Sequence, residues 1–76
     1  MTSLVEAIAK SLVSKPEEVH VVEEKDDNGT IIKLQVAKDD MGKIIGKHGR
    51  IAKAIRIVVK AAAMKQNERV SVEIVD

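Results

Sequence analysis

Between Lys43 and Ile51 the chain gathers residues that could do chemistry together. Gly46 and Gly49 stand three apart, Lys47, His48 and Arg50 surround them, and Ile44-Ile45 come just before. Glycine reaches backbone conformations closed to other residues and lets a second backbone approach closely. Where a helix begins, unpaired N–H groups and the macrodipole favour an anion. With Lys47 and Arg50 added, the segment is suited to hold a phosphate backbone. A four-residue glycine pattern taken alone also fits a plain helix–helix joint.

The surroundings favour the anion reading. From Met41 to Gln66 there are seven Lys or Arg (Lys43, Lys47, Arg50, Lys53, Arg56, Lys60, Lys65) and no Asp or Glu, whereas Glu17 to Asp27 holds six acids and one Lys. A formal net charge of +1 thus conceals a strongly polarised chain. A one-signed block on one element produces a local field that the net charge does not reveal.

Other chemistries find no footing. His20 falls in an expected strand, and His48 has no His, Cys or carboxylate at metal-ligand spacing, so no metal or cofactor is expected. Gly42-Lys43-Ile44-Ile45-Gly46-Lys47 faintly resembles a nucleotide-binding loop. It is one residue short between glycines, and His48 stands where a magnesium-binding hydroxyl belongs. Asp26-Asp27 lie in an expected turn and Asp39-Asp40 at an expected helix start, where acids serve structure. An enzyme is not expected.

The elements that must position this turn can be read in order. Helix one is expected over about Ser3 to Ser14, with Ser3 and Glu6 at capping-box spacing, Leu4, Ile8 and Leu12 on one face, and Pro16 as its stop. Val19 to Lys25 and Thr30 to Ala37 read as antiparallel strands joined through Asp26-Asp27-Asn28-Gly29, with Ile32, Leu34 and Val36 facing inward. Asp39 or Asp40 can cap a short helix over Met41 to Ile45, which Gly46 ends. A long helix follows from about Arg50 to Lys65, with Ile51, Ile55, Val58 and Ala62 as its apolar stripe and Lys53, Arg56 and Lys60 opposite. Val70, Val72 and Ile74 form a last strand, parallel to the second because a helical crossover joins them. The expected fold class is α+β, in the order α-β-β-α-α-β: a three-stranded mixed sheet with helices packed on one face.

Seventy-six residues of this composition are expected to form one domain over residues 1–76, without disulfides because there is no cysteine. Phe, Tyr and Trp are absent, so nucleic-acid modules that stack bases on aromatic side chains are excluded. With no span-length apolar run and no secretion signal, a soluble cytoplasmic protein is expected, away from the membrane.

Ile44-Ile45-Gly46-Lys47-His48-Gly49 matches the I-I-G-x-x-G signature of KH domains, and α-β-β-α-α-β is their type II arrangement. Essentially the whole chain resembles such a domain. The run Gly46-Lys47-His48-Gly49-Arg50-Ile51-Ala52-Lys53-Ala54-Ile55-Arg56 is similar to the small bacterial single-KH proteins of the KhpA (YlqC) family. One departure is Ala52, where many KH domains carry a larger aliphatic residue; the expectation is that Ile51 takes over that position. The resemblance implies binding of single-stranded RNA, about four nucleotides held by the loop. Lys47, His48 and the loop amides would lie by the phosphates, with Arg50 and Lys53 nearby. Ile44, Ile45 and Ile51, with part of the second strand, would give an apolar floor. It also implies a homodimer, or a heterodimer with a larger KH-containing protein, and a role as post-transcriptional regulator or RNA chaperone.

Two further surfaces keep two readings each. Lys53, Arg56 and Lys60 are either a solvated helix face or part of the nucleic-acid surface; they have no acidic partner at i,i+4. Ile57, Ala61 and Met64 lie off the expected core stripe, as the periphery of a core or as a self-association face. The competing function is a dimerising protein-interaction adaptor for which nucleic acid is incidental.

Overall fold

The computed structural model describes residues 1–75. Its order is α1 (Thr2–Leu12), β1 (His20–Asp26), β2 (Gly29–Gln35), α2 (Met41–Ile45), α3 (Arg50–Lys65) and β3 (Val70–Val75). Single 3₁₀ turns occur at Pro16–Glu18, Lys38–Asp40 and Lys47–Gly49. The sheet order is β1-β2-β3. β1 pairs antiparallel with β2, from His20 opposite Gln35 to Asp26 opposite Gly29. β2 pairs parallel with β3, from Thr30 opposite Val70 to Gln35 opposite Val75. The α+β class, the element order and the mixed sheet are as expected from sequence.

The hairpin closes through Asp27-Asn28, with the Asn28 amide donating to Asp26 Oδ1 at 2.7 Å. Gly29 opens β2 at φ 134, and a Cβ there would lie 2.6 Å from the Arg69 carbonyl oxygen. Only glycine fits, because the α3–β3 turn crosses at this point; the Thr30 amide donates to the same Arg69 carbonyl at 2.8 Å.

Alternation along β2 and β3 sends Ile32, Leu34 and Val72 inward, where they are 5% exposed or less. There they meet Val5 and Ala9 of α1, Ile44 of α2, and Ile55 and Val59 of α3. Fully burying an aliphatic side chain contributes about 1.5–3 kcal/mol, so this one cluster carries most of the driving force for so short a chain.

Both helix stripes are rotated from their expected phase. In α1 the buried positions are Val5 and Ala9, while Ile8 is half-buried and Leu12 is 37% exposed. In α3 they are Ala52, Ile55, Val59 and Ala63, not Ile51, Val58 and Ala62. Small side chains at 52 and 63 let α3 lie close to its neighbours. The larger Ile51 and Val58 turn toward α1, and with Ile8 and Leu12 they line an apolar groove.

Two cap expectations are also corrected. α1 starts at Thr2 with no side-chain cap, and Glu6 pairs with Lys10 at 2.6 Å instead of capping. α1 also ends at Leu12, ahead of Pro16, which opens its own 3₁₀ turn. Asp40 makes no cap bond to α2. Its carboxylate, 2% exposed, accepts the amides of Ser14 and Lys15 at 3.0 Å each, tying the segment after α1 to the base of α2.

Candidate nucleic-acid interface

α2 ends because Gly46 leaves helical space: at φ 75 and ψ 173 it adopts a conformation essentially reserved for glycine. A Cβ on Gly46 would also lie 2.6 Å from Ile51 Cγ1, so the turn and the first residues of α3 are packed together. His48 (φ 58, ψ 24) and Gly49 (φ 73, ψ 14) then take left-handed conformations in succession. Three of the four residues in the turn therefore have positive φ. The Gly46 amide donates to the Gly42 carbonyl, and the Gly49 amide to the Gly46 carbonyl at 3.1 Å. Among the described residues, the amides of Lys47 and His48, between these two bonds, have no backbone acceptor.

α3 begins on Gly49 without a side-chain cap and with no acidic residue in its first turn. Arg50 and Lys53 occupy that turn, at the end where the macrodipole is already positive and where a cation is disfavoured by about 0.3–1 kcal/mol. Helix stability alone would place Asp or Glu there. Among the described residues, Lys43 is the one cation of the Met41–Gln66 block within ion-pair distance of a carboxylate, at 3.5 Å from Asp40 Oδ1. Lys47, Arg50, Lys53, Arg56, Lys60 and Lys65 have no such partner among the described residues. What this arrangement can do is attract and hold an anion on a ridge of free amides and unpaired cations.

Lys47, His48, Arg50 and Lys53 are exposed beside the turn. Ile45 is 39% exposed, whereas Ile44 is fully buried. The expectation that Ile44 forms part of an apolar floor is thereby corrected: it supports the turn from within the core, and Ile45 is the isoleucine at the surface. Ile51 is half-buried over Gly46. Ala52 itself fills the buried position expected to pass to Ile51.

The strand beside α3 is β3, not β2. A cleft of about 330 Å³ runs between Arg56 and Lys60 on the helix and Val70, Ser71 and Val72 on the strand. Arg56 Nε–H donates across it to the Val72 carbonyl at 3.3 Å. Periodicity places Arg56 and Lys60 opposite the core but does not reveal this cleft, because which strand α3 borders depends on sheet order.

Ile57 and Met64 are 58% and 67% exposed on the outer side of α3, with Ala61 between them and Val58 adjacent at 47%. Lys53 and Lys60 stand one helical turn from Ile57 and Met64, so the Lys53–Arg56–Lys60 flank directly adjoins this apolar face.

Two helices joined by a Gly-x-x-Gly turn within an α-β-β-α-α-β order define a KH-type domain. The family model described as KhpA/KhpB, KH domain matches residues 2–74, and the chain belongs to that family. It is 63% identical over 75 residues to the RNA-binding protein KhpA of Clostridium perfringens, covering 99% of this chain and all of that one. It is 54% identical to the RNA-binding protein KhpA of Halalkalibacterium halodurans and 45% identical to that of Listeria monocytogenes, each over the full length of both chains. No solved structure matches the chain at a significant level.

Proposed function

We propose that this protein binds single-stranded RNA, holding about four nucleotides with the Gly46-Lys47-His48-Gly49 turn, as one KH module over residues 1–76. The observation that carries the reading is the start of α3: uncapped, cationic and preceded by successive left-handed residues. The amides of Lys47 and His48, with the side chains of Lys47, His48 and Arg50, contact phosphates. Lys53 extends the same surface by one helical turn. Ile45 and Ile51 supply apolar contact to the bases from beneath. Without aromatic stacking, the phosphates carry most of the grip, so affinity is modest and salt-sensitive. The reading contains no chemical step and calls for no cofactor.

Family membership under a model named for KhpA and KhpB supports the companion proposal that the chain pairs with a second KH protein or with itself. The exposed Ile57, Ala61 and Met64 are the contact face for that pairing. A cytoplasmic post-transcriptional regulator or RNA chaperone is the role that fits both surfaces. Crosslinking in cells tests the RNA contact: Lys47→Asp with His48→Asp should abolish recovery of crosslinked RNA while the protein stays folded. Unchanged recovery would refute the loop as the site.

A further inference from the structure

The apolar groove between α1 and α3 lies on the opposite flank of α3 from the β3 cleft. Ile8 and Leu12 form one wall, Ala54 and Val58 the other, and the more deeply set Ile51 and Ile55 the floor. Ala54 makes the space. It stands one turn from Arg50 and one turn from Val58, and a larger side chain there would fill the groove. Leu12 is 37% and Val58 47% exposed, so the walls leave the groove open to an occupant. Among the described residues, Arg50 is the one polar side chain that lines it.

Shape and charge together select that occupant. From Arg50 to Val58 the groove follows α3 for about 12 Å, at about 1.5 Å per residue. Its volume is about 290 Å³, room for roughly ten groups the size of a water molecule at about 30 Å³ each. A helix, about 10–12 Å across with its side chains, would ride over such a groove and not enter it. A bilayer is flat and would touch only the rims. One methylene chain fits both the length and the volume. Arg50 decides what the chain must carry at its end. Its guanidinium has no carboxylate within ion-pair distance among the described residues. It also stands in the first turn of α3, where the macrodipole already favours an anion. A carboxylate can take a guanidinium through two parallel hydrogen bonds. A cationic head is repelled at the same place, and a neutral head gains neither interaction.

We infer that the α1–α3 groove is a binding site for a free single-chain carboxylate of about ten carbons, its chain over Ile51 and Ile55 and its head on Arg50. Where the RNA-binding reading holds, Arg50 is shared with a phosphate, so occupancy of the groove weakens RNA binding.

The test is calorimetric titration of the whole protein with decanoate below its micelle concentration, beside decyltrimethylammonium as the cation of matched chain. Decanoate should bind saturably and about tenfold tighter than the cation, the scale of one charge-assisted pair. Arg50→Gln should bring the two close to parity. Ala54→Phe should abolish decanoate binding with a melting curve like that of the wild type. If that variant unfolds, Arg50→Gln, made on an exposed side chain, still decides. Absence of saturable decanoate binding, or equal binding of both amphiphiles by the wild type, overturns the inference. Binding only to vesicles of phosphatidylglycerol and phosphatidylcholine overturns it too, and makes the surface a membrane contact. Saturating decanoate should weaken binding of a labelled single-stranded RNA by the wild type and leave Ala54→Phe unaffected. Unchanged RNA affinity of the wild type overturns the placement of the head on Arg50. A protein that takes decanoate but no RNA overturns the RNA-binding reading and leaves the groove site standing.

Discussion

Gly46 and Gly49 both have positive φ, yet they are glycines for different reasons. At Gly46 the backbone lies where side chains cost about 1–3 kcal/mol, and Ile51 already fills the space a Cβ would need. At Gly49 nothing lies within 4 Å of a Cβ, so a substitution meets only the left-handed cost of about 1–2 kcal/mol. Gly46→Ala should therefore lower the melting temperature and weaken RNA binding more than Gly49→Ala does. Gly49→Asn should be milder still, because Asn tolerates the left-handed region. Thermal unfolding and RNA titration of the three variants check the order; equal effects of the two alanines would contradict it.

At the scale of elements, Asp40 decides how the helical hairpin sits. The Ser14 amide holds its carboxyl below the ordinary carboxylate value against the opposing effect of burial, helped by the Lys15 amide and Lys43. Lys43 also bonds to Ser14 Oγ, closing the buckle. A depressed folded-state pKa means stabilisation that is full above the unfolded value and lost as pH falls through the folded one, here below about pH 4. Asp40→Asn should melt several degrees lower than the wild type at pH 7. Between pH 7 and pH 3 it should lose less than the wild type does, since its share of the acid sensitivity is gone. Identical melting at pH 7 would show that the buckle contributes nothing.

This buckle also marks where sequence reading stopped. Asp40 beside a short apolar run reads as a helix cap, since its partners Ser14 and Lys15 lie 25 or more positions away. Element order, the α2–α3 turn and the inward face of β2 were legible because glycine placement and strict alternation leave little choice. The phase of α3 was not. Ile, Val and Ala occupy so much of its circumference that periodicity allows neighbouring solutions, and preferring large residues selects Ile51 and Val58. Close packing instead favours the smaller Ala52 and Ala63. Within the candidate site the exposed cations were legible. The burial of Ile44 and the approach of Arg56 to β3 were not, because both depend on the assembled sheet.

At the scale of the whole molecule, acidic and basic charge are segregated. Acidic residues crowd β1 and its flanks, while α2, the turn and α3 carry the cations, so an approaching polyanion is steered to one side. Contact of Lys47, Arg50 and Lys53 with three phosphates gives a slope of about −2 for log affinity against log salt, at about 0.7 per phosphate on a single strand. A salt-independent affinity would contradict phosphate-led binding. The outer face of α3 makes a separate statement. Ile57→Glu with Met64→Glu should yield a folded monomer by sedimentation, and unchanged sedimentation of an associating protein would move the contact elsewhere.

The central claim is that the Gly46–Gly49 turn is the RNA clamp. The most direct measurement is fluorescence anisotropy of a short labelled single-stranded RNA, titrated with the wild type and with the Lys47→Asp, His48→Asp protein at low salt. Saturable binding is expected of the wild type and at least tenfold weaker binding of the double variant, with matching thermal unfolding curves. Equal affinity of a folded double variant would contradict it.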